Sequence, residues 1–250
     1  MFATTLRHGL IPNLLDGGRN PRYNCRDATW WFIKAIKDYI EFTGDYAILN
    51  QDVKLKYLSD NKTEHENRHM TGDVKMVSLA TIIQDIFQHH ATGIKFREWN
   101  AGHAIDEQMT YEGFNIDLAL DESTGFIFGG SGSNCLTWMD KMGSSEKAGT
   151  KGVPGSSRDG APIEMTALLK CGLEFVISAH AKGHFAPTCV KLKHGSTLPY
   201  KEWAARIKAN FEKNYWIPYD VEQFKDYALK PYAVRRKGIY KDTLGSSKES

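Results

Sequence analysis

The sequence predicts a mainly α-helical fold with short β-hairpins set in long loops. Two patterns predict it. Four stretches carry apolar residues at helical spacing, and short β-branched or aromatic runs lie between them, bounded by Gly and Asp. With 250 residues, 41% of them apolar and 25% charged, the chain has an ordinary globular composition and room for one large domain or two small ones.

The elements follow in order. The start, 6–23, is broken by Pro12, Pro21, Gly9, Gly17 and Gly18 and reads as irregular loop. A first helix is expected from Ala28 to about Phe42, with Trp31, Ile33, Ile36, Tyr39 and Ile40 on one face and Asp27 placed to cap it. Residues 45–67 are polar, without clear period, and read as a surface loop. A second helix is expected over Val74–His90, its stripe made by Val77, Ile82, Ile83, Ile86 and Phe87. Strand-like pieces follow at 114–116 and 126–128. Residues 129–160 are rich in Gly, Ser and Asn, and a weakly structured stretch of that length inside a domain points to function or disorder. A third helix, Pro162–Ala181, is apolar on most sides and implies deep burial, with Pro at its start. Residues 185–198 suit a hairpin, Tyr200–Tyr215 a fourth helix, and Val221–Leu229 a weaker one. The end, 237–250, reads as open.

Composition excludes several classes. A net charge of +2, from 32 basic and 30 acidic residues, gives no electrostatic case for nucleic acid, and the patch Arg235–Lys237 suits a solvated tail. No apolar run approaches the ~20 residues of a membrane helix. Arg7 and His8 interrupt the first residues, which lack a secretory core, so a cytoplasmic location is expected. Cys25, Cys135, Cys171 and Cys189 form no close pair and read as reduced thiols, which makes the sequon at Asn61 irrelevant. No metal or cofactor is expected. His65 and His69 lack the Glu of a metalloprotease motif, Asp117, Asp121 and Glu122 lack calcium-loop spacing, and no phosphate-cradling loop is present.

Three segments combine an acid with aromatics or amides. In the first, Tyr23, Asn24, Arg26, Asp27, Trp30 and Trp31, a carboxylate beside two indoles suits sugar hydroxyls and a ring face; an N-cap followed by two core tryptophans fits equally well. The second is Asn134 to Gly143. A glycosidase needs a carboxyl that stays protonated near neutral pH, and Asp140 follows Trp138 and Met139. Raising an Asp from ~3.9 to ~6 takes roughly 3 kcal/mol of burial penalty. Capping or pairing with a lysine is the structural alternative. In the third, Arg158 to Glu164, Glu164 lies in a first helical turn, where the helix dipole favours an ionised acid suited to binding hydroxyls.

The segments Arg7–Asn13, Tyr23–Ala28 with Trp30 and Trp31, Gly113–Ile116, Thr137–Gly143, Pro162–Glu164 and Lys237–Asp242 resemble, in order, the C-terminal amylo-α-1,6-glucosidase region of the eukaryotic glycogen debranching enzymes. The resemblance implies an (α/α)6 barrel, incomplete here, and inverting hydrolysis of α-1,6-linked glucose stubs on glycogen or another branched α-glucan. It implies a place beside a 4-α-glucanotransferase. It implies Asp140 as general acid, Asp27 with Trp30 or Trp31 as glucose binders, and Glu164 as a substrate-contacting carboxylate. Arg26, Asn134 and Trp138 are expected to join them, with Arg7 and His8 at the rim. It also implies that the end of the domain, including the general base, and the transferase portion are missing. On that reading the piece alone is inactive and exposes the apolar face of the 162–181 helix. The alternatives are a non-catalytic glycogen-binding module and a generic helical interaction domain.

Overall fold

The computed structural model describes every residue except 17–19, 57–73, 99–100, 135–136, 140, 228, 230–231, 233 and 248–250. The Arg7–Leu10 turn leads into β1 (Leu14–Asp16) and β2 (Asn20–Arg22), an antiparallel pair. Next comes α1 (Ala28–Thr43), which buries Trp30, Ile33, Ile36 and Ile40 and ends where Gly44 turns left-handed, its N–H donating to the Ile40 carbonyl.

Residues 45–56 are not the loop expected. They form a 3-10 turn and then β3 (Asp52–Lys56), antiparallel to β4 (Val74–Ser78) with Val53 opposite Val77. β3 alternates polar and apolar residues, Asp52-Val53-Lys54-Leu55-Lys56, but β4 breaks the alternation at Met76-Val77, so the period-2 signal is too short to stand out beside the charges around it. The second helix consequently starts later than expected. α2 runs Leu79–Thr92, and its N-cap is Ser78, whose Oγ accepts from the Thr81 N–H at 3.2 Å. His65, His69 and the Asn61 sequon lie outside the described residues.

β5 (Ile94–Arg97), β6 (Asn115–Leu120) and β7 (Ile127–Gly129) form an antiparallel sheet, with Ile94 opposite Leu118 and Phe96 opposite Ile116. The described part of 130–160 carries turns and two isolated bridges, Met142 to Pro154 and Gly160 to Gly129. β8 (Ala161–Pro162) opens directly into α3 (Ile163–Ala181), where Pro162 is the cap residue. The hairpin β9 (Cys189–Lys191) and β10 (Thr197–Pro199) leads to α4 (Tyr200–Tyr215). The weak helix after it is a 3-10 segment, Val221–Tyr227.

Two expectations are overturned. The end of the chain is not open: β11 (Trp216–Ile217) pairs with β12 (Ile239–Tyr240), and β13 (Thr243–Leu244) pairs with β8. Gly160 makes the second pairing possible, because at its φ of +81° a Cβ would come 1.9 Å from the Leu244 carbonyl oxygen. The apolar face of α3 is not exposed either. Met165, Leu168, Leu169, Leu173, Phe175 and Val176 are buried, and α3 packs on α1 and α4. The result is a mixed helical fold, with more strand than the sequence suggests.

An aromatic chain joins the helices. Trp30 lies 5.6 Å, centroid to centroid, from Phe87, and Phe87 lies 5.2 Å from Tyr200 and 6.1 Å from Trp203. Tyr215 ties α4 to β8 and α3 through the Ala161 carbonyl at 2.9 Å and Thr166 Oγ1 at 2.8 Å. His90 is fully buried 4.6 Å from Trp30, its Nδ1 bonded to the Ile86 carbonyl. Burial lowers its pKa from 6.5 to about 4. The unfolded chain therefore binds a proton that the folded chain refuses. Stability is full above pH 6.5 and is lost as pH falls through that window. This group alone is expected to remove about 3 kcal/mol, and His90→Gln to flatten that limb in urea unfolding across pH 4–7. An unchanged acid limb in the variant would contradict this. Cys25, Cys171 and Cys189 form no disulfide among the described residues. Among those residues no helix is long and apolar enough to cross a membrane.

Candidate active site

The start of α1 sets the site. Asp27 was expected to cap the helix and does not. Its φ of −64° and ψ of −22° are already helical, and its side chain makes no capping bond. The carboxylate instead accepts at Oδ2 from two donors, Trp31 Nε1 at 3.2 Å and the Trp138 backbone N–H at 3.4 Å. Residue 31 lies one helical turn from residue 27, so the indole N–H reaches it naturally. The second donor brings in the 130–160 segment.

Asp27 is 1% exposed. Burial pushes its pKa up, the two hydrogen bonds oppose the rise, and the Glu164 charge adds to it. The carboxyl lines an open cleft of about 580 Å³, together with Ile11, Pro12, Trp31, Phe32 and Trp138. Trp31 is 46% exposed and Trp138 64%, so both indoles offer faces to this space. A buried acid between two open aromatic faces is a polar anchor with flat apolar walls, the chemistry that grips a sugar ring.

The structure divides the other candidates. Trp30 is 1% exposed and belongs to the core, which corrects its role as a glucose platform. Successive helical positions differ by about 100°, so when 30 points inward 31 points outward. Arg26, also 1% exposed, donates to Asn134 Oδ1 and to the Asn115 carbonyl, both at 3.4 Å. Asn134 donates to the carbonyls of Gly113 and Asn115 and accepts from Ser131 N–H. Both act as braces that join β6 and the 130–134 turn to the start of α1. Arg7 and His8 do not line the cleft; they pack on Phe96, at 5.5 and 4.6 Å from its ring. Glu164 is in the first turn of α3, bonded through Oε2 to Arg158, and close enough for its charge to act on Asp27. Asp140 lies outside the described residues.

Sequence reasoning missed one brace. Glu98 is 1% exposed and holds the Arg22–Tyr23 backbone, accepting from Arg22 Nε at 3.1 Å, Arg22 Nη2 at 3.3 Å and Tyr23 N–H at 2.8 Å. No local signal marks it, because its partners are more than 70 positions away in the chain.

The amylo-α-1,6-glucosidase family model matches residues 1–250. The chain belongs to the amylo-α-1,6-glucosidase family. It is also similar to the glycogen debranching enzyme of Saccharomyces cerevisiae, 47% identical over 253 residues that cover 99% of this chain and 16% of that protein. The chain thus spans about a sixth of the length of that relative. By this kinship the amylo-α-1,6-glucosidase domain seen here is a glycoside hydrolase domain, and the cleft beside Asp27 is its candidate site.

Proposed function

We propose that this domain hydrolyses single glucose units α-1,6-linked to a branched α-glucan such as glycogen, within a debranching polypeptide that also carries 4-α-glucanotransferase activity. The observation that carries the reading is the pair of hydrogen bonds that one buried carboxylate, Asp27, accepts from Trp31 Nε1 and the Trp138 backbone N–H, two residues whose indole faces stay open. In this reading Asp27 accepts from glucose hydroxyls, and Trp31 and Trp138 pack on the ring. Glu164 adds a second acceptor at the mouth of α3. Asp140, two residues beyond Trp138, protonates the departing glycosidic oxygen. Inversion requires a second carboxylate roughly 6.5–9.5 Å from that acid to activate water. The four α-helices among the described residues are taken as part of an (α/α)6 toroid.

The test is glucose release from a limit dextrin by a debranching protein carrying this domain. Asp140→Asn is expected to lower release by about 10³-fold and to leave dextrin affinity within about twofold. Full activity in the variant would remove Asp140 from the mechanism. Binding without any turnover by the unaltered protein would favour a non-catalytic glucan-binding module.

A further inference from the structure

Arg158 links the first turn of α3 to the 239–247 segment. Its φ of +44° is left-handed. For a non-glycine residue this costs of order 1–3 kcal/mol and persists only where the surroundings hold it. Its side chain is 3% exposed and joins two carboxylates. Nη2 donates to Glu164 Oε2, and Nη1 lies 2.9 Å from Asp242 Oδ2. One partner is in the first turn of α3; the other is in the bend between β12 and β13.

The neighbouring Asp159 anchors the same stretch. Its Oδ1 accepts from Ser246 Oγ at 2.7 Å, its Oδ2 from the Ser247 N–H at 2.6 Å, and its carbonyl from Thr243 Oγ1 at 2.7 Å. The Asp242 carbonyl accepts from the Ile163 N–H at 3.0 Å, and β13 pairs with β8. Residues 239–247 thus form a strap across 158–163, the stretch that leads into Glu164. Two atoms of the ion pair are left over: Glu164 Oε1 and Arg158 Nε are buried and have no hydrogen-bond partner among the described residues. A buried acceptor and a buried donor in one ion pair are completed by a hydroxyl, which is both.

We propose that Arg158 is a positioning residue, clamped by the 239–247 strap, and that it fixes Glu164 at the first turn of α3, within electrostatic reach of Asp27, so that the ion pair receives a sugar hydroxyl. This rests on the α-glucan reading of the Asp27 cleft. The planar guanidinium matters because it bridges two carboxylates in fixed directions, which a lysine ammonium does not.

The experiment is a titration with isomaltose, an α-1,6-linked glucose pair, followed by tryptophan fluorescence with Tm measured alongside. Arg158→Gln is expected to weaken binding by about 30-fold, and Arg158→Lys to recover part of that loss. Asp242→Asn alters a side chain that is 80% exposed. It is expected to keep Tm within a few degrees and weaken binding about threefold. If Arg158→Gln does not fold, the Lys and Asp242→Asn variants decide. Wild-type affinity in both would overturn the proposal and assign the leftover atoms to water. If isomaltose does not bind the unaltered chain, or binds Asp27→Asn equally well, the α-glucan reading itself fails.

Discussion

Asp27→Asn is expected to weaken saccharide binding by about 10²-fold while leaving the fold at least as stable as before. Both external donors, Trp31 Nε1 and the Trp138 N–H, address the same oxygen, Oδ2. An asparagine with its carbonyl in that place keeps both bonds. What it loses is the charge and the second acceptor. Hydrogen bonds from hydroxyls to a charged group are worth about 1.5–3 kcal/mol each, so losing one or two weakens binding by about 10²-fold or more. The fold responds in the opposite direction. Burial disfavours the ionised form, so the folded pKa is raised above the unfolded value of 3.8. Stability linked to this group is therefore complete below 3.8 and is lost as pH rises through the folded pKa. Asparagine never ionises and avoids that loss. Urea unfolding near neutral pH is expected to show a gain in stability, which fades as pH falls through the folded pKa toward 3.8. A destabilised variant that still binds isomaltose at wild-type strength would make Asp27 a structural residue.

That pairing of lost function with gained stability explains why the site was partly legible and partly not. Asp27, Trp31 and Trp138 sit in short segments whose composition fits sugar binding and a capped helix start equally well and whose motifs carry the family resemblance, and the structure gathers them at one cleft. The helices were legible for a similar reason. α1, α3 and α4 lie within about a residue of their expected bounds because long apolar stripes are a local signal. β3, β4 and the strap were not legible, because two-to-five-residue strands acquire meaning only from partners far along the chain: Thr243 finds Pro162, and Leu55 finds Lys75. Arg26, Asn134 and Glu98 show the same limit. Their polar chemistry suggested ligand or nothing, and the fold uses it to join distant backbone segments. Arg158 is the extreme case, since neither its left-handed backbone nor its two carboxylate partners can be read from neighbouring residues.

The adjacent tryptophans of α1 are expected to separate folding from binding in a single experiment. Trp30 is packed against Phe87 and His90, and Trp31 opens onto the cleft. Trp30→Ala removes a large side chain from close-packed surroundings and is expected to cost about 3–5 kcal/mol of stability. The folded fraction of that variant should still bind isomaltose, because Asp27, Trp31 and Trp138 are intact. Trp31→Ala is expected to cost less than about 1 kcal/mol of stability, since nearly half of the side chain is already in water. Isomaltose affinity should fall at least tenfold, through loss of the ring face and of one donor to Asp27. Trp31→Phe separates those two losses. It keeps an aromatic face and removes the indole N–H, a bond that holds the Asp27 pKa down. Asp27 should then titrate higher than in the unaltered chain, and the pH dependence of binding should shift upward with it. If the costs of the two alanine variants came out reversed, with Trp31 carrying the fold and Trp30 the affinity, the cleft at the start of α1 would not be where the sugar sits.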